Sequence, residues 1–227
     1  MPPLRRTSEV RPSLTTIVIE MAEKDYTTIK ERRACETVIK GSRFIGVAIP
    51  VPDEDGLRSS LTDIIKEFPE ATHYCYGAIY GGSNYVERSS DNGEPSGTAG
   101  RPILNVIRQM GLTDVVVIVI RYFGGTLLGT GGLTHAYSSS ASSVLSMCEK
   151  LEKRMCGIVS VSILYQDYDR FNKYLLPLFY SKPDVSFDSN VNIKGPVPKD
   201  DVERFNEMLT ETFGGKYKSN TEGCAYR

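Results

Sequence analysis

Histidine is scarce in this sequence: His73 and His135 are the only two in 227 residues, too few to make a three- or four-ligand metal site easy to assemble. The five cysteines, Cys35, Cys75, Cys148, Cys156 and Cys224, form an odd set without a C-x-x-C pair. That argues against a disulfide framework and a structural zinc, and it fits a reducing, cytoplasmic setting. Long apolar runs are missing as well. The longest aliphatic stretch, Val115 to Ile120, falls far short of the roughly 20 residues a helix needs to cross a bilayer, so no membrane association is expected. Net charge is nearly absent at −1, which excludes a protein that coats nucleic acid through bulk charge and leaves any RNA binding to a local patch. The first twenty residues hold Arg5, Arg6 and Arg11 but only Ile17-Val18-Ile19 before Glu20, too weak for a secretory signal. Residues 1–20 are read as a leader, with the true start left open between Met1 and Met21.

What is present is ordinary globular composition, 40% hydrophobic and 24% charged, in a chain long enough for two small domains. From Tyr26 to Val51 β-branched residues dominate, and Lys40-Gly41-Ser42 interrupts them as a turn between two strands. Asp53 is placed to cap a helix whose Leu57, Leu61, Ile64, Ile65 and Phe68 share one face, ending at Pro69. Thr72 to Tyr80 alternates as a strand, with His73, Cys75, Gly77 and Ile79 on one face and Tyr74, Tyr76, Ala78 and Tyr80 on the other. Residues 81–100 read as a long loop leading into a helix with Pro102 in its first turn. Val115 to Ile120 is apolar on both faces, as in a central strand. A second glycine loop, Gly124 to Gly132, delivers another helix.

The pattern restarts near residue 155 with a strand over Ile158–Leu164, a helix over Tyr168–Phe179, two short strands, a helix stopped by Gly214-Gly215, and a short strand near Tyr217. This order predicts a small ferredoxin-like βαββαβ domain, with residues 216–227 as a frayed polar tail. The expected division is 21–153 and 154–227, in an α+β fold.

Two matching loops stand out: Ser96-Gly97-Thr98-Ala99-Gly100 and Leu128-Gly129-Thr130-Gly131-Gly132, each just before a helix. Free amides and the positive end of a helix dipole suit them to a phosphate or RNA backbone, with Thr98 and Thr130 adding hydroxyl donors. Tight turns and capping would explain the same residues without a ligand. Arg121-Tyr122-Phe123 sets a guanidinium and two rings at the end of the central strand, with Arg43, Arg101 and Arg108 as candidates to join it, a combination that suits RNA; the rings are more often core. Asp91 and Glu94, three apart around the Asn92-Gly93 turn signal, form a carboxylate pair whose alternatives are an acid/base or metal role and a plain turn beside the arginines. Cys75 and His73 lie about 6–7 Å apart as i, i+2 strand neighbours, too far for a nucleophile pair.

Lys40–Ile45, Ala71–Tyr76, Asp91–Gly100 and Arg121–Leu133 resemble, in that order, the signature stretches of the IMPACT/YigZ family. The resemblance covers about residues 30–147, and the second domain resembles the C-terminal domain of bacterial members and domain V of translation elongation factor G. It implies a ribosomal protein S5 domain 2-like first domain and, for the eukaryotic branch, regulation of translation through the activator of the general-control kinase. Asn92 stands where a second aspartate is usual, and His135 where Lys or Arg is common. The expectation is a non-catalytic binder of RNA, ribosome or a translation-control protein, without cofactor or metal. Its alternative is an enzyme acting on a phosphorylated small molecule, which lacks support from any Walker lysine motif. The functional residues expected are Arg43, Gly97, Thr98, Gly100, Arg101, Arg121, Tyr122, Gly129, Thr130, Gly131 and Gly132, with His73, Asp91, Glu94 and His135 on the flanking loops. Oligomeric state is left open.

Overall fold

The computed structural model describes residues 25–227, so the leader over 1–20 and both candidate starts lie outside the described residues. A five-stranded antiparallel sheet organises the first domain. Strands β2 (Arg33–Ile39) and β3 (Ser42–Pro50) form the expected hairpin, preceded by a short β1 (Tyr26–Ile29). Helix α1 (Glu54–Glu67) follows, its N-cap Asp53 accepting from the Gly56 amide at 2.8 Å. Next come β4 (His73–Tyr80), β5 (Val86–Ser90), α2 (Gly100–Gln109), β6 (Val115–Tyr122) and α3 (Gly129–Ser146). The sheet order is β2-β3-β6-β4-β5.

Strand β6 sits centrally, hydrogen-bonded to β3 and β4, and its parity sorts the core. Val115, Val117 and Val119 pack under α2 and α3 with Ile103, Ile107 and Tyr137, while Val116, Ile118 and Ile120 pack against α1 with Leu57 and Ile64. A strand buried on both faces must be apolar throughout, which is why this stretch is legible as a central strand. The same parity continues past the apolar run and sends Arg121 to the α2/α3 face and Tyr122 to the α1 face.

Strand β5 corrects the long-loop reading of residues 81–100. It pairs with β4 from Tyr76↔Ser90 to Tyr80↔Val86, but as an edge strand with largely exposed, charged residues it shows no clear alternation.

After β7 (Lys150–Lys153), which pairs with β1, come β8 (Met155–Ile163), α4 (Tyr168–Tyr174), β9 (Asp184–Phe187), β10 (Val191–Pro198), α5 (Val202–Phe213) and β11 (Ser219–Tyr226). The second sheet has order β11-β8-β10-β9, all antiparallel, which together with βαββαβ succession is the ferredoxin-like topology. Its core holds only residues from Val159 to Leu209, with Phe171, Phe179 and Phe205 at the centre, so the chain has a two-domain α+β arrangement. Two expectations need correction here. Helix α4 stops at Tyr174, because Pro177 lies within a separate single turn over Leu176–Leu178. The supposed frayed tail is strand β11, paired with β8 along its length around a bulge between Glu222 and Cys224; polar composition there reflects an exposed edge. No described helix is long and apolar enough to cross a membrane.

Candidate functional site

The two glycine loops look alike in sequence and behave differently in space. At the first, Asp91 turns back onto the start of α2 and accepts from the amides of Gly97 at 2.7 Å, Gly100 at 2.8 Å and Ala99 at 3.0 Å. Burial raises the Asp91 pKa, yet those three amides outweigh it and hold the carboxyl below its usual range. Thr98 is buried, and its hydroxyl donates to the Pro95 carbonyl at 2.7 Å. The expected cradle at Gly97, Thr98 and Gly100 is therefore filled by the protein's own carboxylate, a capping aspartate supplied from nine residues upstream. No external anion is needed there.

The second loop carries no such plug. Helix α3 begins at Gly129 with Leu128 as N-cap; among the described residues no side chain accepts from the amides of its first turn, and no acidic residue lies in that turn. Eighteen residues of helix thus end in uncapped amides, the arrangement that favours an anion.

Beside that helix start lies a buried polar cluster. Arg121, 4% exposed, donates from Nη1 to Glu94 Oε1 at 2.6 Å, and Glu94 is 8% exposed. Tyr137 donates to the same Oε1 at 2.7 Å, and Arg121 Nη2 reaches Ser42 Oγ at 3.3 Å. The guanidinium lies between the Phe44 and Phe123 rings, each centroid 5.4 Å away. Its Nε is a buried donor without an acceptor among the described residues, a situation that costs about 1–3 kcal/mol when no partner arrives. His73 approaches from β4, with Nε2 3.8 Å from Glu94 Oε1 and Nδ1 2.8 Å from the Asn92 carbonyl. A pocket of 330 Å³ opens between His73, Glu94, Arg121, Phe123 and the Gly129-Thr130 turn, with Leu127, Leu128 and Leu133 as its apolar wall.

Residues 40–145 match the Impact N-terminal domain. Over 191 residues the chain is 34% identical to the IMPACT family member YvyE of Bacillus subtilis, covering 84% of this chain and 88% of that protein. This chain belongs to the IMPACT family. It is also 36% identical over 109 residues to YigZ of Escherichia coli, covering 47% of this chain and 53% of that one. A crystal structure of a hypothetical protein, 24% identical, aligns with a TM-score of 0.59 over 88% of this chain and 98% of its own, and shares the fold.

In this IMPACT family member the arginines do not converge. Arg43 and Tyr122 lie on the opposite sheet face from Arg121: Arg43 pairs with Glu36 at 2.9 Å and stacks over the Tyr122 ring at 5.2 Å, and the Tyr122 hydroxyl donates to the Pro69 carbonyl at 3.1 Å. The one-residue step along β6 that separates Arg121 from Tyr122 places them on different faces. Arg101 is exposed on the first turn of α2, outside the pocket lining. His135 lies instead in a 650 Å³ groove between α2 and α3 with Gln109 and several serines of α3.

Asp91 and Glu94 do not form a carboxylate pair either; one caps α2 and the other neutralises Arg121. Asn92 takes a positive φ of 42° and accepts the Tyr74 amide on its side-chain oxygen at 2.8 Å, continuing the β4 ladder beyond the end of β5. Cys75 is buried, its thiol donating to the Asp91 carbonyl at 3.0 Å, and burial foremost pushes its pKa up to about 12. It is no nucleophile near neutral pH. Tyr137, Leu127 and Ser42 belong to the site and escape sequence reasoning, whereas Phe123, read from the sequence beside Arg121, does lie against it. Helical spacing makes Tyr137 look like plain core, and nothing local shows that its hydroxyl meets Glu94, 43 residues away.

Proposed function

We propose that this IMPACT family member is a non-catalytic, cytoplasmic, translation-associated binding protein whose ligand is RNA, alone or within the ribosome, held through phosphate at the start of α3. Two units, 21–153 and 154–227, would carry the function, the first with the anion site and the second with an added contact surface. One observation carries the reading: of two matching glycine turns, the protein caps one internally through Asp91 and leaves the other uncapped at the mouth of a pocket. The family resemblance supports the link to translation, and a protein partner in translation control is the other form such a role would take.

Arg121 is a poor probe, since its loss strands Glu94 in the core. Gly131 is a better one, because a Cβ there meets nothing within 4 Å. RNA affinity measured against salt should show a Gly131→Asp chain binding more weakly, with the slope of log K against log salt shallower by about 0.7 for each single-strand phosphate that the chain no longer neutralises. Identical slopes for both chains would remove the α3 turn from the interface. The pocket's small-molecule size keeps the enzymatic reading in view, and magnesium-dependent thermal stabilisation by ATP would favour it.

A further inference from the structure

We infer that the pocket beside α3 binds a phosphorylated ribose unit whose vicinal hydroxyls are free, with phosphate at the α3 amides and the hydroxyls against Glu94 and His73. This rests on the phosphate reading of the α3 turn and adds the chemistry of the rest of the ligand.

The pocket encloses 330 Å³, near the lower end of the roughly 300–1,000 Å³ that small-molecule sites occupy, and its lining offers both donors and an acceptor. On the α3 side stand donors: the uncapped amides of the first turn, favoured for anions by the helix dipole. The lining also holds Glu94 and His73. The Asn92 carbonyl can only accept, so His73 Nδ1, 2.8 Å away, carries a proton, while Nε2 lies 3.8 Å from Glu94 Oε1. Glu94 Oε1 is taken by Arg121 and Tyr137, while Oε2 has no hydrogen-bond partner among the described residues.

A ligand that satisfies the site therefore brings a hydroxyl donor to Glu94 and an anion to the α3 amides. Inorganic phosphate answers only the donors, an unphosphorylated sugar only the acceptor, and a sugar phosphate answers both.

The third observation is independent of the helix end. Arg121, 96% buried, lines this pocket and holds a donor, Nε, with no acceptor among the described residues. Its outer cover is the Phe123 ring, which is 46% exposed and free on its outer side to shift or to stack on a base. A ligand oxygen reaching Nε would supply the missing acceptor. The same 5′-phosphorylated ribose with free 2′ and 3′ hydroxyls occurs in a free nucleotide and at the 3′ end of an RNA.

Calorimetric titration of the full chain separates these. AMP is compared with adenosine, which lacks phosphate, and with 2′,3′-dideoxy-AMP, which lacks the hydroxyls. A short RNA ending in 3′-hydroxyl is compared with the same RNA ending in 3′-phosphate. Expected is a loss of about tenfold or more for each deletion from AMP, or for blocking the RNA end, the size of one polar contact left unmade. The series that shows the loss identifies the source. Gly131→Asp should abolish the preference without lowering the melting temperature, since a Cβ there meets nothing within 4 Å and an acidic residue in a first helical turn is stabilising.

Equal binding of AMP and its dideoxy form, together with indifference to the RNA end, would overturn the inference while salt-dependent RNA binding stood. Loss of salt-dependent RNA binding altogether would overturn the broader reading with it.

Discussion

Asp91 shows how one carboxylate decides which of two similar loops is open. Its three amide donors hold it ionised in the fold more readily than in the unfolded chain. A carboxylate with a depressed folded pKa contributes stability that is present above its unfolded value of about 3.9 and is lost as pH falls through the folded value. Asp91→Asn should therefore cost about 0.5–2 kcal/mol near neutrality, the range for a lost N-cap, and urea midpoints of the two chains should converge as pH drops below about 4. Glu94 and Arg121 carry a different lesson. Truncating either one strands its partner's charge at under a tenth exposure, which should cost about 3–5 kcal/mol, while replacing both with apolar residues should cost far less than the sum. Urea unfolding of the two single variants and the double variant tests this. Both carboxylates are visible in the sequence, three residues apart, but their separate tasks are not, because sequence spacing does not say which way a turn at Asn92 points its neighbours.

Among the elements, the turn that follows β6 is the most constrained. Gly124 approaches the β2–β3 turn so closely that a Cβ would sit 2.0 Å from the Gly41 carbonyl carbon and oxygen. Gly124→Ala should thus destabilise by about 1–3 kcal/mol or more, whereas Gly131→Ala, in open space on a helix, should be neutral or stabilising by up to about 1 kcal/mol. Thermal melts of the two variants decide it. The elements themselves are largely readable: the hairpin around Gly41, the helix capped by Asp53 and the central strand each rest on local periodicity. Strands β5 and β11 are not, since an edge strand with one solvated face and polar residues carries the composition of a loop.

At the scale of the whole molecule, the two domains meet through the chain's outer strands. Tyr26 of β1 donates to Asp114, whose other oxygen takes the Gly81 and Gly82 amides at 2.9 and 3.0 Å. The Tyr26 ring packs edge-on against Tyr226 of β11 at 4.8 Å, and the Tyr226 hydroxyl is hydrogen-bonded to Ser83 Oγ at 2.8 Å. A ring pair of this kind contributes about 0.5–1.5 kcal/mol beyond its burial. Calorimetric unfolding of Tyr226→Ala should separate the domain transitions more than in the parent chain, because β11 then loses its hold on the first domain. A single unshifted transition would show that the junction lies elsewhere.

By itself the sequence determined which stretches are buried, where helices α1 and α2 start, that there are two units, and which family signatures run through the first of them. All of these follow from short-range pattern, composition and turn chemistry, whereas α3 begins at Gly129, inside the stretch read as a loop. Only the tertiary structure decided that Asp91 plugs one glycine turn, that Arg121 and Tyr122 part company across the sheet, and that Glu94, Arg121 and His73 line one pocket. Those outcomes depend on strand parity carried past an apolar run and on residues dozens of positions apart meeting in space, and neither leaves a mark on local sequence.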